Sequence, residues 1–447
     1  MWVPRLEEGI ARTVAIVRAL RMAIETGELP ANTRLPAQRE LAHRLGVNLS
    51  TVTRAFEQAT QEGLISGEIG RGTFVMPQSR AASLFAETMA MAARIDMARI
   101  TPPRIDDAII TETLRTILAE RADEAFAYPS LLQLHRGCDA VRDWIRWRGL
   151  TRDPAHVAIT AGAQAGLQAL LSMLLRAGQS ILVEEHTFPG LRTTADLIGI
   201  KPVGIACDAQ GLIPEELEQA HKRTGATILF ATPNLQNPTG AIMGPARRKA
   251  IAATIARLGL LLIEDDAYGS YTGLAPLVSE CAGPHILVSS LSKAFAPGLR
   301  FGFVVGDHPA VARLEREVSM SSWFAAPIMI ETATKLIANG VAMNHAGQQK
   351  RIVEERWPVV KRIFPDAPDT PRTHLWLTTP PGSNFARLAE KQGVDIAPAS
   401  AFSMTRQGGD FIRCSMTSVR DDAELALGLA KIRDLGAHLP QRKTMAA

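Results

Sequence analysis

Lys293 stands three residues beyond a predicted strand, His285–Ser290, together with hydroxyl groups and an arginine. The hydroxyls belong to Ser290 and Ser292, and Arg300 follows the lysine by seven residues. A lysine with a depressed pKa can form a Schiff base with an aldehyde, while hydroxyls and a guanidinium suit a phosphate. This combination predicts a site for pyridoxal 5′-phosphate (PLP).

Other predicted strands and turns carry side chains that suit the ring of PLP. Asp265 can keep the pyridine nitrogen protonated, which makes the ring an electron sink. Asn237 and Tyr268 can donate hydrogen bonds to the ring oxygen, and Phe188 can stack on the ring. Taken singly, the motif of Asn237 fits an ordinary turn and Asp265 fits a strand-end cap, so the prediction depends on the joint order of these residues.

The part of the chain that must position these groups alternates apolar β-like runs with helical stretches. This alternation is typical of an α/β fold with a mainly parallel sheet, in which functional residues lie at the carboxyl ends of the strands. At one such end, residues 160–164 lead into a helix whose first amides, on Ala163 and Gln164, can hold a phosphate. The predicted strands are residues 157–160, 180–184, 227–231, 260–264, 285–290 and 302–306.

The first 76 residues predict a separate small unit of three helices and a hairpin. The helices are predicted over residues 9–26, 37–45 and 51–62, with Ser50 as the N-cap of the third. A hairpin of residues 64–67 and 72–75 follows. Two short helices about four residues apart and a hairpin are typical of a winged helix-turn-helix domain, although the pattern alone also fits a helical adaptor domain.

The start of the third helix carries groups that a recognition helix presents to base edges and phosphates in the major groove. Those groups are Ser50, Thr51, Thr53 and Arg54. In the hairpin, Arg71 beside Gly72 can enter the minor groove or contact a phosphate.

Charge decides little by itself. The 447-residue chain has a formal net charge of +4, and residues 1–76 contain nine Arg and eight Glu, a net charge of +1. The positions of the arginines are more informative, since Arg34, Arg39, Arg54 and Arg71 occupy predicted DNA-facing positions.

The N-terminal unit resembles the winged-helix domain of the GntR regulators over most of residues 9–76. The resemblance rests on residues 34–42, 51–56, 62–65 and 70–75. Residues 95–435 resemble the fold-type I aminotransferases, and the fusion of the two resembles the MocR subfamily of bacterial regulators. The resemblance implies a protein that binds double-stranded DNA and holds PLP as an internal aldimine on Lys293.

Two further roles come from the resemblance. Arg413 matches the arginine that grips a substrate carboxylate, and Tyr128 matches a tyrosine that is lent across a dimer interface to the phosphate, which implies a homodimer. The chain departs from the family around Tyr128, where Gln133 and the pair Gly137–Cys138 replace a glycine and a Leu-Arg pair. Phe188 also stands where tyrosine is common.

A third departure lies at residues 372–376, where Arg372 precedes His374 in place of a glycine-containing run. Arg372 or His374 facing an effector would favour an acidic or polar group. The alternative is that Arg372 is an ordinary surface arginine.

The predicted domains are a DNA-binding domain (residues 1–76), a linker (77–94) and an aminotransferase-like domain with a smaller α+β lobe (95–447). The linker is either a partly helical tether or a surface helix of the second domain. The four cysteines are far apart and predict neither disulfides nor a metal site, and no targeting or membrane-spanning segment is evident. We therefore expect a cytoplasmic protein.

Three functions fit these predictions. The first is a transcriptional regulator that binds PLP and responds to an amine or amino-acid effector. The second is an active aminotransferase with an additional DNA-binding domain, since Lys293 can also serve as a base. The third is a regulator for which PLP itself is the signal. The winged helix favours a regulator because a dedicated aminotransferase gains nothing from a DNA-reading domain.

Overall fold

The computed structural model describes residues 2–4, 6, 9–25, 28–30, 33–61, 64–68, 72–76, 94–103, 108–317, 324–404 and 409–440. The chain divides into two compact units, Met1–Ala86 and Glu87–Ala447. The predicted linker lies almost entirely outside the described residues. None of the described helices has both the length and the apolar character needed to cross a lipid bilayer.

The N-terminal unit has three helices and an antiparallel hairpin, as predicted. The helices are α1 (Arg12–Glu25), α2 (Gln38–Leu45) and α3 (Leu49–Gln61), and β1 (Ile65–Glu68) pairs with β2 (Gly72–Val75). Apolar residues three or four positions apart on the helices form its core, because such residues share one helix face. Leu20, Leu41, Val52 and Phe56 are among the buried side chains of this core.

Helix α3 begins earlier than its sequence predicts. The amides of Thr51 and Val52 both bond to the carbonyl of Asn48, and the helix starts at Leu49. Ser50 therefore lies in the first turn and is not the N-cap. Gly46 ends α2 with a φ of 62°, a left-handed conformation that glycine adopts without strain.

The second unit is built on a seven-stranded sheet. Its strands are β4 (His156–Thr160), β5 (Ser180–Glu184), β6 (Lys201–Ile205), β9 (Ile228–Ala231), β10 (Leu261–Asp265), β11 (His285–Ser290) and β12 (Gly302–Gly306). The order is β4-β12-β11-β10-β9-β5-β6, and the strands are parallel except β12, which is antiparallel to β4 and β11. A small hairpin, β7 (Cys207–Asp208) with β8 (Gly211–Leu212), follows β6.

Both faces of this sheet are covered by helices. Successive residues of a strand point to opposite faces, so Leu182 belongs to one apolar core and Val183 to the other. Strands β9, β11 and β12 are buried along their whole length. The helices of this part of the unit are α4 (Ala108–Phe126), α5 (Leu131–Trp147), α6 (Ala163–Leu174), α7 (Pro189–Ile198), α8 (Pro214–Thr224), α9 (Pro245–Leu258), α10 (Pro309–Glu317) and α11 (Pro327–Ala338).

A smaller lobe has its own core, which includes Leu375, Ile412 and Leu429. Strand β16 (Phe411–Ser415) is antiparallel to β13 (His374–Thr378) and β15 (Ala397–Pro398), and Trp376 pairs with Arg413. Strand β3 (Ile95–Asp96) runs parallel to β14 (Val394–Asp395). The lobe's helices are α13 (Phe385–Lys391), α14 (Asp422–Asp434) and the distal part of the long α12 (Val341–Ile363).

Candidate functional site

Lys293 follows β11 at the carboxyl edge of the parallel strands, as predicted. Its Nζ donates a hydrogen bond to the carbonyl oxygen of Ile100 at 2.6 Å, and the hydroxyl of Tyr271 bonds to its backbone oxygen at 2.8 Å. Burial lowers the pKa of Lys293 to about 8, and the positive charges of Arg413 and Arg300 act in the same direction. The lysine therefore has a larger neutral, nucleophilic fraction near pH 7 than a solvated lysine has.

Asp265 is the last residue of β10, the strand next to β11. Its Oδ1 accepts a hydrogen bond from the amide of Ala267 at 2.9 Å, and burial raises its pKa to about 6. Lys293 lies close enough to offset part of that rise. A carboxylate beside the lysine, at the same edge of the sheet, fits the predicted partner of a pyridine nitrogen.

The neighbouring acids have structural roles. Asp266 forms a buried ion pair with Arg148, with oxygen–nitrogen distances of 3.0 and 3.2 Å, and accepts a bond from Asn234. Glu264 accepts bonds from the amides of Leu277 and Val278. Both side chains are therefore occupied by the fold, and Asp265 is the acid of this strand that remains for chemistry.

The predicted phosphate-binding turn has the backbone geometry of an anion cradle. Gly162 has a φ of 91° and takes the N-cap position of α6, where it has no side chain to cap the helix. The guanidinium of Arg300 lies over Gly162, so close that a Cβ on Gly162 would stand 2.8 Å from it. Arg300 also bonds to the carbonyl of Ala161 at 3.0 Å. The first amides of α6 and this guanidinium therefore converge at the start of the helix.

Ser290 and Ser292 come just before Lys293 in the sequence and are hydrogen-bonded to each other. The hydroxyl of Ser290 accepts a bond from the amide of Ser292 at 3.3 Å. Ser290 is buried at the end of β11, and Ser292 is half-buried. Two hydroxyls therefore lie close to Lys293 in the chain, and their role toward a phosphate stays a prediction.

The side chain of Gln164 turns away from the cradle. Its amide nitrogen bonds to the carbonyl of Gly190 at 3.0 Å and to the hydroxyl of Thr194 at 2.9 Å. Phe188 immediately precedes α7. Its ring packs against Gly190, so closely that a Cβ on this glycine would stand 2.3 Å from the ring. Gln164 can serve a phosphate through its backbone amide, while its side chain fixes the turn that carries Phe188.

Arg413 and Asn237, 176 residues apart, meet in the structure. The Nη1 of Arg413 donates to the Oδ1 of Asn237 at 2.6 Å, and its Nη2 donates to the carbonyl of Ala98. The guanidinium lies 4.7 Å above the ring centroid of Phe402, and its Nε is buried without a partner. Burial lowers the pKa of Arg413 to about 10, which leaves it charged at neutral pH.

Tyr268 is buried within the influence of the charges of Arg413 and Asp265. The charge of Arg413 opposes the rise that burial causes in the tyrosine pKa, and the charge of Asp265 adds to that rise. The phenol therefore remains protonated at neutral pH and can donate a hydrogen bond.

Together these residues fit PLP. The observations that test the fit are the glycine turn under Arg300, the half-buried lysine with a lowered pKa and the carboxylate beside it. The sequence did not point to the carbonyls of Ala98 and Ile100, because a backbone acceptor carries no residue signature.

The interpretation of Arg372 as a surface arginine is wrong. Arg372 is half-buried beside Gly240, its Nε is buried without a hydrogen-bond partner, and burial lowers its pKa to about 10. His374 is fully buried, with its Nε2 2.9 Å from the carbonyl of Gln236 and its Nδ1 2.9 Å from the Thr373 hydroxyl. Burial lowers the pKa of His374 to about 3, so the ring is neutral.

Tyr128 lies on the surface, with 87% of it exposed, in the connection between α4 and α5. It does not join the buried groups around Lys293 within its own chain. Its role across a dimer interface remains a prediction.

The predicted DNA-contacting side chains are largely exposed. Arg34, Arg39, Ser50 and Arg54 are exposed, and Thr51 and Thr53 are half-buried. The hydroxyl of Thr53 donates to the side chain of Gln38 at 2.9 Å, a bond between α3 and α2. The guanidinium of Arg34 lies against Gly72, where a Cβ would stand 2.8 Å from its Nε. Arg71 lies outside the described residues.

Comparisons with known proteins agree with this architecture. Residues 99–432 match the family described as aminotransferase class I and II, and residues 12–75 match the bacterial regulatory proteins of the gntR family. An uncharacterized HTH-type transcriptional regulator of Bacillus subtilis, YdeF, is 28% identical over 94% of this chain and 93% of its own. The probable rhizopine catabolism regulatory protein MocR of Rhizobium meliloti is 26% identical over 85% of each chain.

Among solved structures, kynurenine aminotransferase of Pyrococcus horikoshii has a TM-score of 0.72 at 22% identity, over 80% of this chain and 94% of its own. This likeness shows the fold. It agrees with the mainly parallel sheet and the smaller lobe.

Proposed function

This chain belongs to the aminotransferase class I and II family and carries a gntR-type domain at its N-terminal end, and from this premise we propose that it is a DNA-binding transcriptional regulator that responds to PLP and to an amino acid or amine. The resemblance to the MocR regulators is confirmed by the two matched domains and by the regulators it is similar to. The aminotransferase-like domain would serve as the sensor.

The sensor site has a group for each part of PLP. Lys293 would hold it covalently, Asp265 would contact the pyridine nitrogen, and Asn237 and Tyr268 would bond the ring oxygen. Its phosphate would be held by Arg300, by Ser290 and Ser292 and by the first amides of α6, while Phe188 would stack on the ring. When bound, PLP supplies an electrophilic carbon and an electron sink for amines. Arg413 would then bind the carboxylate of an amino acid in two-point fashion.

The observation that carries the regulatory part is a segment of chain that contacts two cationic side chains of the sensor site, Lys293 and Arg413. Residues 94–103, which we call the bridging segment, accept a bond from Arg413 at Ala98 and one from Lys293 at Ile100. The hydroxyl of Ser418 bonds to the carbonyls of Asp96 and Arg99 and holds the segment to the small lobe.

Ligands therefore compete with the bridging segment for the same two side chains. A carboxylate on Arg413 and a covalent bond at Lys293 each replace a carbonyl of this segment. Residues 77–93 connect the segment to the winged helix. A ligand that changes the conformation of the bridging segment thereby acts on the part of the chain that leads to the DNA-binding domain, and this difference in contacts is what coupling requires.

Exposed apolar side chains support a homodimer. Four large apolar or aromatic side chains are exposed within seven residues of the chain. They are Phe126 (76% exposed), Tyr128 (87%), Leu131 (76%) and Leu132 (62%). So dense an exposed apolar cluster is typical of an interaction surface. We propose that a second copy covers this cluster, which would carry Tyr128 toward the partner's phosphate cradle. A dimer would also supply two winged helices, one for each half-site of a DNA operator.

The proposed division is a DNA-binding domain over residues 1–76, a linker over 77–94 and a sensor domain over 95–447. A protein that acts on bacterial DNA works in the cytoplasm, and we propose that location for this one.

Binding to the DNA upstream of the protein's own gene tests the proposal. The affinity of the full-length dimer should change when PLP is added, and change again with a bound amino acid, whereas Lys293→Ala should bind DNA without this response. The regulatory proposal fails if DNA affinity is independent of both ligands. The alternative, an aminotransferase, is favoured if the protein also turns over an amino donor and an oxo acid steadily.

A further inference from the structure

Arg372, a further cation near the sensor site, has no counter-charge among the residues that the structure describes. Arg372 is half-buried, its Nε makes no hydrogen bond, and burial is the cause of its lowered pKa. No carboxylate among the described residues lies near enough to raise that pKa. Removing a guanidinium from water without an anion is unfavourable, so such a residue is expected to acquire a partner when the protein is functional.

Arg372 and Arg413 lie at two ends of one loop. The amide of Gly240 bonds to the carbonyl of Gln236 at 2.7 Å and closes the loop 236–240. Arg413 contacts Asn237 in this loop, and Arg372 lies against Gly240, where a Cβ would stand 3.4 Å from the Cδ of Arg372 and 3.8 Å from its Nη1. The two arginine side chains therefore lie against the same five-residue loop.

His374, whose pKa both arginines influence, is neutral. His374 bonds to the carbonyl of Gln236, and its ring lies 6.0 Å from that of Tyr268. Its pKa is lowered by burial and by the charges of Arg413 and Arg372. Both arginines therefore help to keep this buried ring unprotonated. His374 supplies no negative charge that could pair with either arginine.

The anions of the proposed function leave Arg372 unpaired. The phosphate of PLP matches Arg300 and the α6 amides, and the carboxylate of an amino acid matches Arg413. A third anionic group is needed for Arg372. We propose, on the basis of the proposed function, that the effector is a dicarboxylic amino acid whose second carboxylate pairs with Arg372.

The test uses the full-length, PLP-loaded protein and two matched pairs of probes: L-glutamate with L-glutamine, and L-aspartate with L-asparagine. Each pair differs in the charge of the distal group. Affinity is measured by titration calorimetry and by the absorbance of bound PLP. At least one acid should bind about tenfold or more tightly than its amide, the size of effect expected for one charge-assisted hydrogen-bonded pair.

Arg372→Gln should remove this preference by weakening the acid and leaving the amide unchanged, with PLP affinity retained. Arg372→Lys keeps the charge and should retain part of the preference. Arg362→Gln removes an exposed arginine of the same lobe and is the matched control.

Equal affinities for acid and amide in the wild type would overturn the inference while leaving the proposed function intact. An Arg372→Gln variant that weakens both equally, or that dissociates the dimer, would also overturn it, the latter because a partner's carboxylate would then be the counter-ion. Failure of PLP to attach at Lys293 would refute the proposed function itself.

Discussion

The ammonium of Lys293 donates a 2.6 Å hydrogen bond to the carbonyl of Ile100, across 193 residues of sequence. The bond joins the predicted attachment point of PLP to the bridging segment that follows the linker. The nitrogen is an N–H donor in this bond, whereas attachment to an aldehyde uses its lone pair and removes its N–H protons. Attachment of PLP and release of Ile100 are therefore expected to be coupled.

Replacing Lys293 should abolish covalent attachment of PLP. Lys293→Ala removes the nucleophile, so the visible absorbance that borohydride fixes to the wild-type chain should be lost. Lys201→Ala, at an exposed lysine of edge strand β6, is the matched control and should retain it. Peptide mapping after reduction measures both. A modified peptide in the Lys293→Ala variant would show that another lysine holds the cofactor.

Attachment should depend on pH through the lowered pKa of Lys293. With a pKa of about 8, about a tenth of the amine is neutral at pH 7, against roughly 0.03% for an ordinary lysine. The attachment rate of added PLP should therefore rise between pH 6.5 and about 8 and then level off, because protonation below the pKa removes the nucleophile. Stopped-flow absorbance measures the rate. A continued tenfold rise per pH unit above 9 would contradict the lowered pKa.

Removing the guanidinium at position 413 should weaken amino-acid binding more than PLP binding. Arg413→Gln deletes the two-point contact with a carboxylate and should lower the affinity for amino acids by about tenfold to a hundredfold. PLP attachment should persist, because Lys293 and the groups proposed for the phosphate do not depend on the Arg413 guanidinium. Arg413→Lys keeps the charge and should have an intermediate effect. Circular dichroism checks that these buried substitutions leave the fold intact, and unchanged amino-acid affinity in a folded variant would remove Arg413 from the site.

Arg54 should contribute directly to DNA recognition. Its side chain is exposed on α3, and Arg54→Ala should weaken specific binding by about 1 to 3 kcal/mol if it contacts a base. Arg44→Ala is the matched control, since that guanidinium is paired with Glu40 at 2.9 Å on α2. Fluorescence anisotropy with specific and unrelated duplexes separates base reading from general phosphate contacts. Equal effects of both variants would refute the placement of Arg54.

Charges in the exposed apolar cluster should dissociate the proposed dimer. Replacing Leu131 and Leu132 by Glu places two carboxylates where apolar area would be buried, and sedimentation analysis should show monomers. Leu197→Glu, at a leucine that is 67% exposed on α7, should leave the oligomeric state unchanged. In the dimer, Tyr128→Phe should weaken PLP binding without altering the mass. A wild-type monomer at micromolar concentration would rule out this interface.

Most of the sheet could be predicted from sequence, but the edge strand β6 could not. Strands β5, β11 and β12 have the predicted bounds, and three others differ by one residue. Strand β6 is not predicted because Pro202 and Gly204 interrupt its run of strand-forming residues. Both residues are tolerated there because β6 is an edge strand. Helix α3 was placed two residues late because Ser50 has the residue type of an N-cap but lies inside the first turn.

Local sequence patterns were enough to predict which chemical groups follow which strands. Lys293, Asp265 and the turn at Gly162 could be located because strand and helix periodicity is a local property and parallel strands bring their carboxyl ends to one edge. Contacts between distant residues, Arg413 with Asn237 and Lys293 with Ile100, come from the packing of remote elements. The same packing leaves Arg372 half-buried, with no counter-charge among the described residues, and Tyr128 exposed, because burial depends on which remote elements pack over a residue and not on its neighbours in the chain.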